Sequence, residues 1–153
     1  TAAVPIYTRH PYAMAQQALS TQAATGGRLA LGIGTAHPSV VEQMWGLSYA
    51  RPFSYMQEYV AVLRSLIETG AVDYQGQEFR VKGTLTVPGT TPCPILIAAL
   101  GTKMLALAGG AAAGTSGAAR PEQVAACGTP IGHAGRPNRC EQPVPDPRHA
   151  DSK

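Results

Sequence analysis

Charge and aromatic side chains are both scarce in this sequence, and each shortage narrows what the protein can be. Only 14% of its 153 residues are charged, and the 12 basic and 9 acidic ones leave a formal charge of +3. The basic residues are scattered, with no run suited to a phosphate backbone, so nucleic acid is not expected as a partner. Long apolar runs are missing as well. Stretches such as Ile95–Leu100 fall far short of the ~20 residues that cross a bilayer, and no basic-then-apolar leader opens the chain. A soluble, cytoplasmic protein with no membrane partner is expected. Cys93, Cys127 and Cys140 form neither a paired framework nor a zinc spacing, which leaves thiols in a reducing compartment as the expectation. With 44% hydrophobic residues the chain supports one ordinary core, or part of a larger one, and not two enzymatic domains.

The aromatics are unevenly placed. All nine lie between Tyr7 and Phe79, and the last Met and Leu are Met104 and Leu107. Of the 45 residues from Gly109 to Lys153, 26 are Ala, Gly, Pro or Arg, a composition that buries too little apolar surface to offset its ordering entropy. The expected organisation is one domain over residues 1–108 and a low-complexity, disordered tail over 109–153. GC-rich DNA translated out of frame yields the same bias, and the chain starts at Thr1 rather than Met. A truncated chain with a frame-shifted tail is therefore expected.

Within 1–108 the pattern alternates. Ala2–Tyr7 reads as a buried strand, and Pro11 fits the first turn of a helix over Tyr12–Thr25 that Gly26 and Gly27 stop. Arg28–Ile33 reads as a second strand, closed by Gly34, and Thr35–Arg51 as an irregular loop. The strongest periodicity follows Pro52: Met56, Tyr59, Val60, Leu63, Leu66 and Ile67 mark one helix face, ended by Gly70. Val72–Tyr74 and Phe79–Val81 suggest a hairpin, Pro94–Ala99 a third core strand, and Thr102–Ala108 a short helix. Strand and helix in alternation imply an α/β fold with parallel strands and both sheet faces covered. Periodicity does not separate a doubly wound sheet from a (β/α)₈ barrel, but a barrel needs roughly 250 residues, so this chain would hold under half of one.

Four segments in order carry a family resemblance: Val4 to Pro11, Gln16 to Gly34 with its Gly-Arg-Leu-Ala-Leu-Gly-Ile-Gly end, Met44-Trp45-Gly46-Leu47, and Pro94 to Gly101. Together they resemble the luciferase-like flavin and deazaflavin oxidoreductases, most closely the coenzyme F-420-dependent actinobacterial branch. The resemblance implies a partial (β/α)₈ TIM barrel, about strands 3 to 5, with a cofactor at its C-terminal mouth. It implies hydride transfer between coenzyme F-420 and an organic small-molecule substrate. The alternatives are an FMN-dependent monooxygenase of the same superfamily, or a truncated, non-catalytic product. With units missing, unpaired edges would promote homo-oligomers or aggregation.

By the same resemblance, Thr1, Ala2 and Val4 match the end of a strand where the family has a non-proline cis peptide under the deazaflavin ring. Thr35, His37 and Val40 match contacts to the ring or ribityl chain. His37 stands where sugar-phosphate dehydrogenases of the family carry an acidic proton donor, so an imidazole would hold or deliver that proton here; an ordinary pKa near 6.5 suits the task. A solvated loop histidine beside Pro38 is the plainer alternative. Ala99, Leu100, Gly101, Thr102, Lys103 and Met104 match a turn into a helix whose amides approach the cofactor phosphate, with Lys103 adding a point charge.

Other signals are weaker. Gly32-Ile33-Gly34 begins like a dinucleotide fingerprint, but His37 stands where its last glycine belongs. No metal site is expected: Cys127, His133, Cys140 and His149 have separations that fit no usual zinc pattern. Met44, Trp45, Tyr49 and Phe53 either line a substrate pocket or pack under the long loop. Arg9 and His10 either face the mouth or form a charged helix entry.

Overall fold

The computed structural model describes residues 3–111 and 114–115. Thr1, Ala2 and most of the expected tail, including Cys127, His133, Cys140 and His149, lie outside the described residues. Strand β1 is Val4–Pro5, helix α1 Pro11–Ala24 and strand β2 Leu31–Gly34; helix α2 is Pro52–Thr69, strands β3 and β4 are Ala71–Gln75 and Arg80–Thr84, β5 is Ile95–Ile97, α3 is Thr102–Ala111 and β6 is Gly114–Thr115. The α/β class holds.

Four strands, all parallel, form one sheet in the order β1-β2-β5-β6. That is one strand more than the sequence pattern suggests, because β6 follows the expected end of the domain at Ala108. Among the described residues the sheet is open; it does not close into a barrel. Its strands are shorter than expected, yet the ladder continues past their ends. Ile6 N–H donates to Gly34 O at 3.0 Å, and Ala98 N–H to Ile33 O at 2.8 Å.

Pairing of Val4 with Ile33 and of Ile33 with Ile97 puts these side chains on one face, together with Leu31 and Ile95. This face joins Met14, Ala15, Leu19, Leu63, Leu66 and Leu105 from the three helices in a single core. The expectation that both faces are covered is corrected: on the opposite face Ala3 is exposed and Pro5, Leu96 and Ala98 are half-buried. None of these four belongs to the buried core.

Local chemistry sets the helix ends. Pro11 occupies the first turn of α1, where a missing N–H costs nothing, and the chain leaves that helix through Gly26 and Gly27 at φ 61° and 81°. Helix α2 buries Met56, Tyr59, Val60, Val62, Leu63, Leu66 and Ile67, and Gly70 at φ 70° returns its N–H to Leu66 O at 3.1 Å. The expected hairpin is β3 paired antiparallel with β4, a separate two-stranded sheet. The loop over Thr35–Arg51 is not wholly irregular. It contains a π-helical turn, Val40–Met44, in which Trp45 N–H donates to Val40 O five residues back at 3.1 Å. Periodic apolar spacing did not mark it, since Val41 alone of its residues is buried.

Candidate active-site edge

Parallel pairing brings the C-terminal ends of β1, β2 and β5 to one edge, so the loops that follow them are neighbours. The strands are closely set there. A Cβ on Gly34 would stand 3.2 Å from the Ala98 Cβ and 3.4 Å from the Ala3 Cβ. Ala3, Gly34 and Ala98 therefore make a floor of small residues on the face away from the core.

After β2, Thr35 is half-buried, and its Oγ1 accepts the Tyr49 hydroxyl at 3.2 Å. Ala36 adopts φ 60°, unusual for a residue with a Cβ, and turns the chain toward His37. His37 is exposed, with Nδ1 2.8 Å from Ser39 Oγ. Its carbonyl accepts the N–H groups of Val40 and Val41 at 3.0 and 3.1 Å, which starts the π-helical turn. Val40 is half-buried within that turn.

After β5, Ala99 is buried and Leu100 is 85% exposed. Gly101 adopts φ 85° with open space around its Cβ position and starts α3, where Leu105 N–H returns to the Gly101 carbonyl at 3.1 Å. Thr102 and Lys103 are exposed and Met104 half-buried in the first turn. Amides of a first turn have no acceptor within their own helix, and the helix dipole favours an anion there. Val4 lies within the sheet, on the face shared with Ile33. No cis peptide bond occurs among the described residues, so the cis bond expected near Thr1 to Val4 is not found in the part of that stretch the structure describes.

Pattern reading missed the aromatic cluster at the same edge. Tyr7, just beyond β1, stacks on Tyr55 with ring centroids 4.6 Å apart and lies 5.5 Å from Tyr49; Phe79 meets Tyr55 edge-on at 4.8 Å. The Tyr7 hydroxyl is buried without a hydrogen-bond partner. Burial, aided by Tyr49, Tyr55 and the Glu78 carboxylate, pushes its pKa up to about 12. Arg51, at φ 52°, pairs with Glu78 at 3.0 Å and bonds Gln77 Oε1 at 3.0 Å. Of the residues expected to line a pocket, Tyr49 joins this cluster, while Met44 is 74% exposed. His10 caps α1 by accepting the Tyr12 N–H at 3.2 Å, in keeping with a plain helix entry. Cys93 is buried and its thiol is pushed up by that burial, which argues against reactivity. A cleft of about 440 Å³ lined by Leu19, Leu66, Gly70, Leu85 and Pro92 lies at the other end of the strands, away from these loops. No cluster of metal-ligating side chains is present, and no helix is long and apolar enough to cross a membrane, among the described residues.

The chain is similar to several known proteins. The profile of the luciferase-like monooxygenase family matches residues 1–135, and so continues past Ala108. A 5,10-methylenetetrahydromethanopterin reductase of Archaeoglobus fulgidus is 38% identical over 84 residues, which are 55% of this chain and 25% of the reductase. A Mycobacterium tuberculosis protein, provisionally described as a coenzyme F-420-dependent oxidoreductase, is 30% identical over 122 residues, 71% of this chain and 35% of that protein. The solved coenzyme F-420-dependent tetrahydromethanopterin reductase of Methanopyrus kandleri superposes with a TM-score of 0.61 at 26% identity, covering 74% of this chain and 37% of the reductase. The chain thus spans between a quarter and just over a third of the relatives it matches. With a family profile matching most of its length, the chain belongs to the luciferase-like monooxygenase family.

Proposed function

We propose that this chain is the part of a coenzyme F-420-dependent oxidoreductase that carries the cofactor edge, arranged as consecutive strand–helix units of a (β/α)₈ barrel. The observation that carries this reading is the approach of β2 to β5, which sets the Thr35–Val40 loop beside the Ala99–Met104 turn at one end of the sheet. The residues present fit the group. The floor of Ala3, Gly34 and Ala98 leaves room for a flat ring, and the start of α3 at Gly101 offers amides and Lys103 to a phosphate.

When bound, the deazaflavin would supply the hydride chemistry. The chain's own part is to seat the ring, to hold Thr35 and Val40 against it, and to hold or deliver a proton through His37. The substrate is an organic small molecule whose remaining contacts belong to parts that the longer relatives carry and this chain does not span. Turnover by these 153 residues alone is therefore not expected, and the sheet edges at β1 and β6, unpaired among the described residues, favour self-association.

Parallel titrations with coenzyme F-420 and with FMN, followed by absorbance and fluorescence, test the reading. Saturable F-420 binding with weak or absent FMN binding is expected. Tight FMN binding without F-420 binding would instead assign a flavin-dependent monooxygenase.

A further inference from the structure

The strands have two ends, and the one away from the cofactor edge carries chemistry of its own. A cleft of about 440 Å³ opens there, a size common to small-molecule sites, between the last turn of α2, Leu19 of α1 and the connection from β4 to β5. Its walls are held in place. Thr90 Oγ1 donates to the Leu19 carbonyl at 3.1 Å, and Gln22 Nε2 to Thr91 Oγ1 and to the Pro92 carbonyl, both at 3.4 Å. Leu19, Leu66 and Leu85, all buried, give it an apolar lining.

At the α2 end the polar groups are one-sided, because the donors are committed inside the chain. Gly70 N–H donates to the Leu66 carbonyl at 3.1 Å and Leu85 N–H to the Gly70 carbonyl at 2.7 Å. Ala71 N–H donates to Thr69 Oγ1 at 3.2 Å, and that hydroxyl to the Ser65 carbonyl at 2.8 Å. Acceptors are left over. The Gly70 bond is the last of the helix, so the carbonyls of Ile67, Glu68 and Thr69 lack the helix partner that earlier ones have, and the negative end of the helix dipole lies among them. Glu68 is the one charged residue among those that line the cleft. Its Oε1 accepts from Arg64 Nε at 2.7 Å, one turn back, which leaves Oε2 for another donor.

We propose that this cleft is an accessory binding site for a small organic ammonium. Its N–H groups are donated to the carbonyls of Ile67, Glu68 and Thr69 and to the Glu68 carboxylate, and its hydrocarbon stem lies against Leu19, Leu66 and Leu85. A pole of acceptors and negative charge beside an apolar wall calls for a cationic nitrogen on an apolar stem; a carboxylate or phosphate would meet only acceptors there. Arg64 competes for the same carboxylate and so weakens the site. The site uses neither the cofactor nor the loops at the opposite edge, and it stands or falls apart from the function proposed above.

Titration of the ¹⁵N-labelled 153-residue chain, without coenzyme F-420, uses three probes of one length: hexylammonium, 1-hexanol and hexanoate. Hexylammonium is expected to shift the amides of Gly70, Ala71, Leu85, Thr86 and Val87 on one saturable curve and to leave residues 35–40 and 99–104 unmoved. 1-Hexanol should bind about fivefold more weakly, the worth of a cation at a helix C-terminus, and hexanoate more weakly still. Glu68→Gln should weaken hexylammonium about threefold and leave 1-hexanol unchanged. Arg64→Gln, which releases the carboxylate, should tighten hexylammonium about twofold. Binding of 1-hexanol as tight as that of hexylammonium, shifts outside the cleft, or no saturable shift at all would overturn the proposal, as would an Arg64→Gln chain that binds hexylammonium more weakly. Should Glu68→Gln lose the dispersed spectrum of a folded chain, the three probes on the wild type and on Arg64→Gln decide.

Discussion

The carboxylate of Glu58 occupies the space that a side chain on Gly76 would need. From there Glu58 Oε1 accepts the N–H of Gln77 at 2.9 Å, and Oε2 accepts those of Glu78 and Phe79 at 2.9 and 3.0 Å. One side chain of α2 thereby fixes the turn between β3 and β4, and with it Phe79 and Glu78 beside the aromatic cluster.

This clamp is expected to matter for stability. Glu58→Gln replaces one acceptor oxygen with an amide nitrogen facing N–H donors, at a cost of about 1–2 kcal/mol, measured by urea titration. Burial pushes the Glu58 pKa up, but the amides of Gln77, Phe79 and Glu78 and the Arg51 guanidinium outweigh it, so the net shift is downward. Its stabilisation is therefore complete above the ordinary glutamate value of about 4.3 and is lost as the pH falls through the lower folded value. Glu58→Gln should lack that part of the acid sensitivity.

Tyr7 contributes to the alkaline limit, alongside Tyr59, Tyr55 and Tyr74, which burial also holds protonated. With a folded pKa raised from 10.0 to about 12, it keeps its proton where the unfolded chain releases it. The contribution is complete below pH 10 and declines between about 10 and 12. Tyr7→Phe, which also removes an unpartnered buried hydroxyl, should unfold at higher pH than the wild type in an alkaline titration followed by circular dichroism.

Gly34 sets the spacing of the floor. Gly34→Val places branched carbon where even a Cβ lies 3.2 Å from Ala98, and overpacking of this kind costs roughly 1–3 kcal/mol. A lowered urea midpoint is expected, with F-420 affinity falling further than the stability loss explains, because the added methyls project onto the open face.

Tyr49 reaches across the long loop to Thr35. Tyr49→Phe keeps the ring beside Tyr7 and removes the bond to Thr35 Oγ1. Stability should fall by about 0.5–1.5 kcal/mol, the worth of one hydrogen bond, measured by urea titration, and cofactor affinity should fall with it because Thr35 is no longer held.

How much of this could be read from the residues depends on what kind of signal each part leaves. The α2 helix announces itself because Met56, Tyr59, Leu63 and Leu66 must share one buried face, and Gly26, Gly27 and Gly70 mark helix ends because only glycine takes their positive φ cheaply. The π-helical turn left no such trace, since an exposed segment carries no apolar period. The open face was also misread: Gly32, Leu96 and Ala98 look as apolar as the helix-covered face, and composition does not say what lies opposite them. At the proposed site, Thr35, His37 and Gly101 were named through family likeness. Tyr7 and Tyr55 were invisible to it, because they meet only when the turn after β1 packs on α2, between residues far apart in the sequence.

The most direct test of the cofactor edge is to map coenzyme F-420 on the backbone amide spectrum of the folded chain. The account expects the amides of residues 35–40 and 99–104 to shift together on one saturable curve, with those lining the cleft between Leu66 and Pro92 unmoved. Shifts confined to that cleft, or to only one of the two loops, would contradict it.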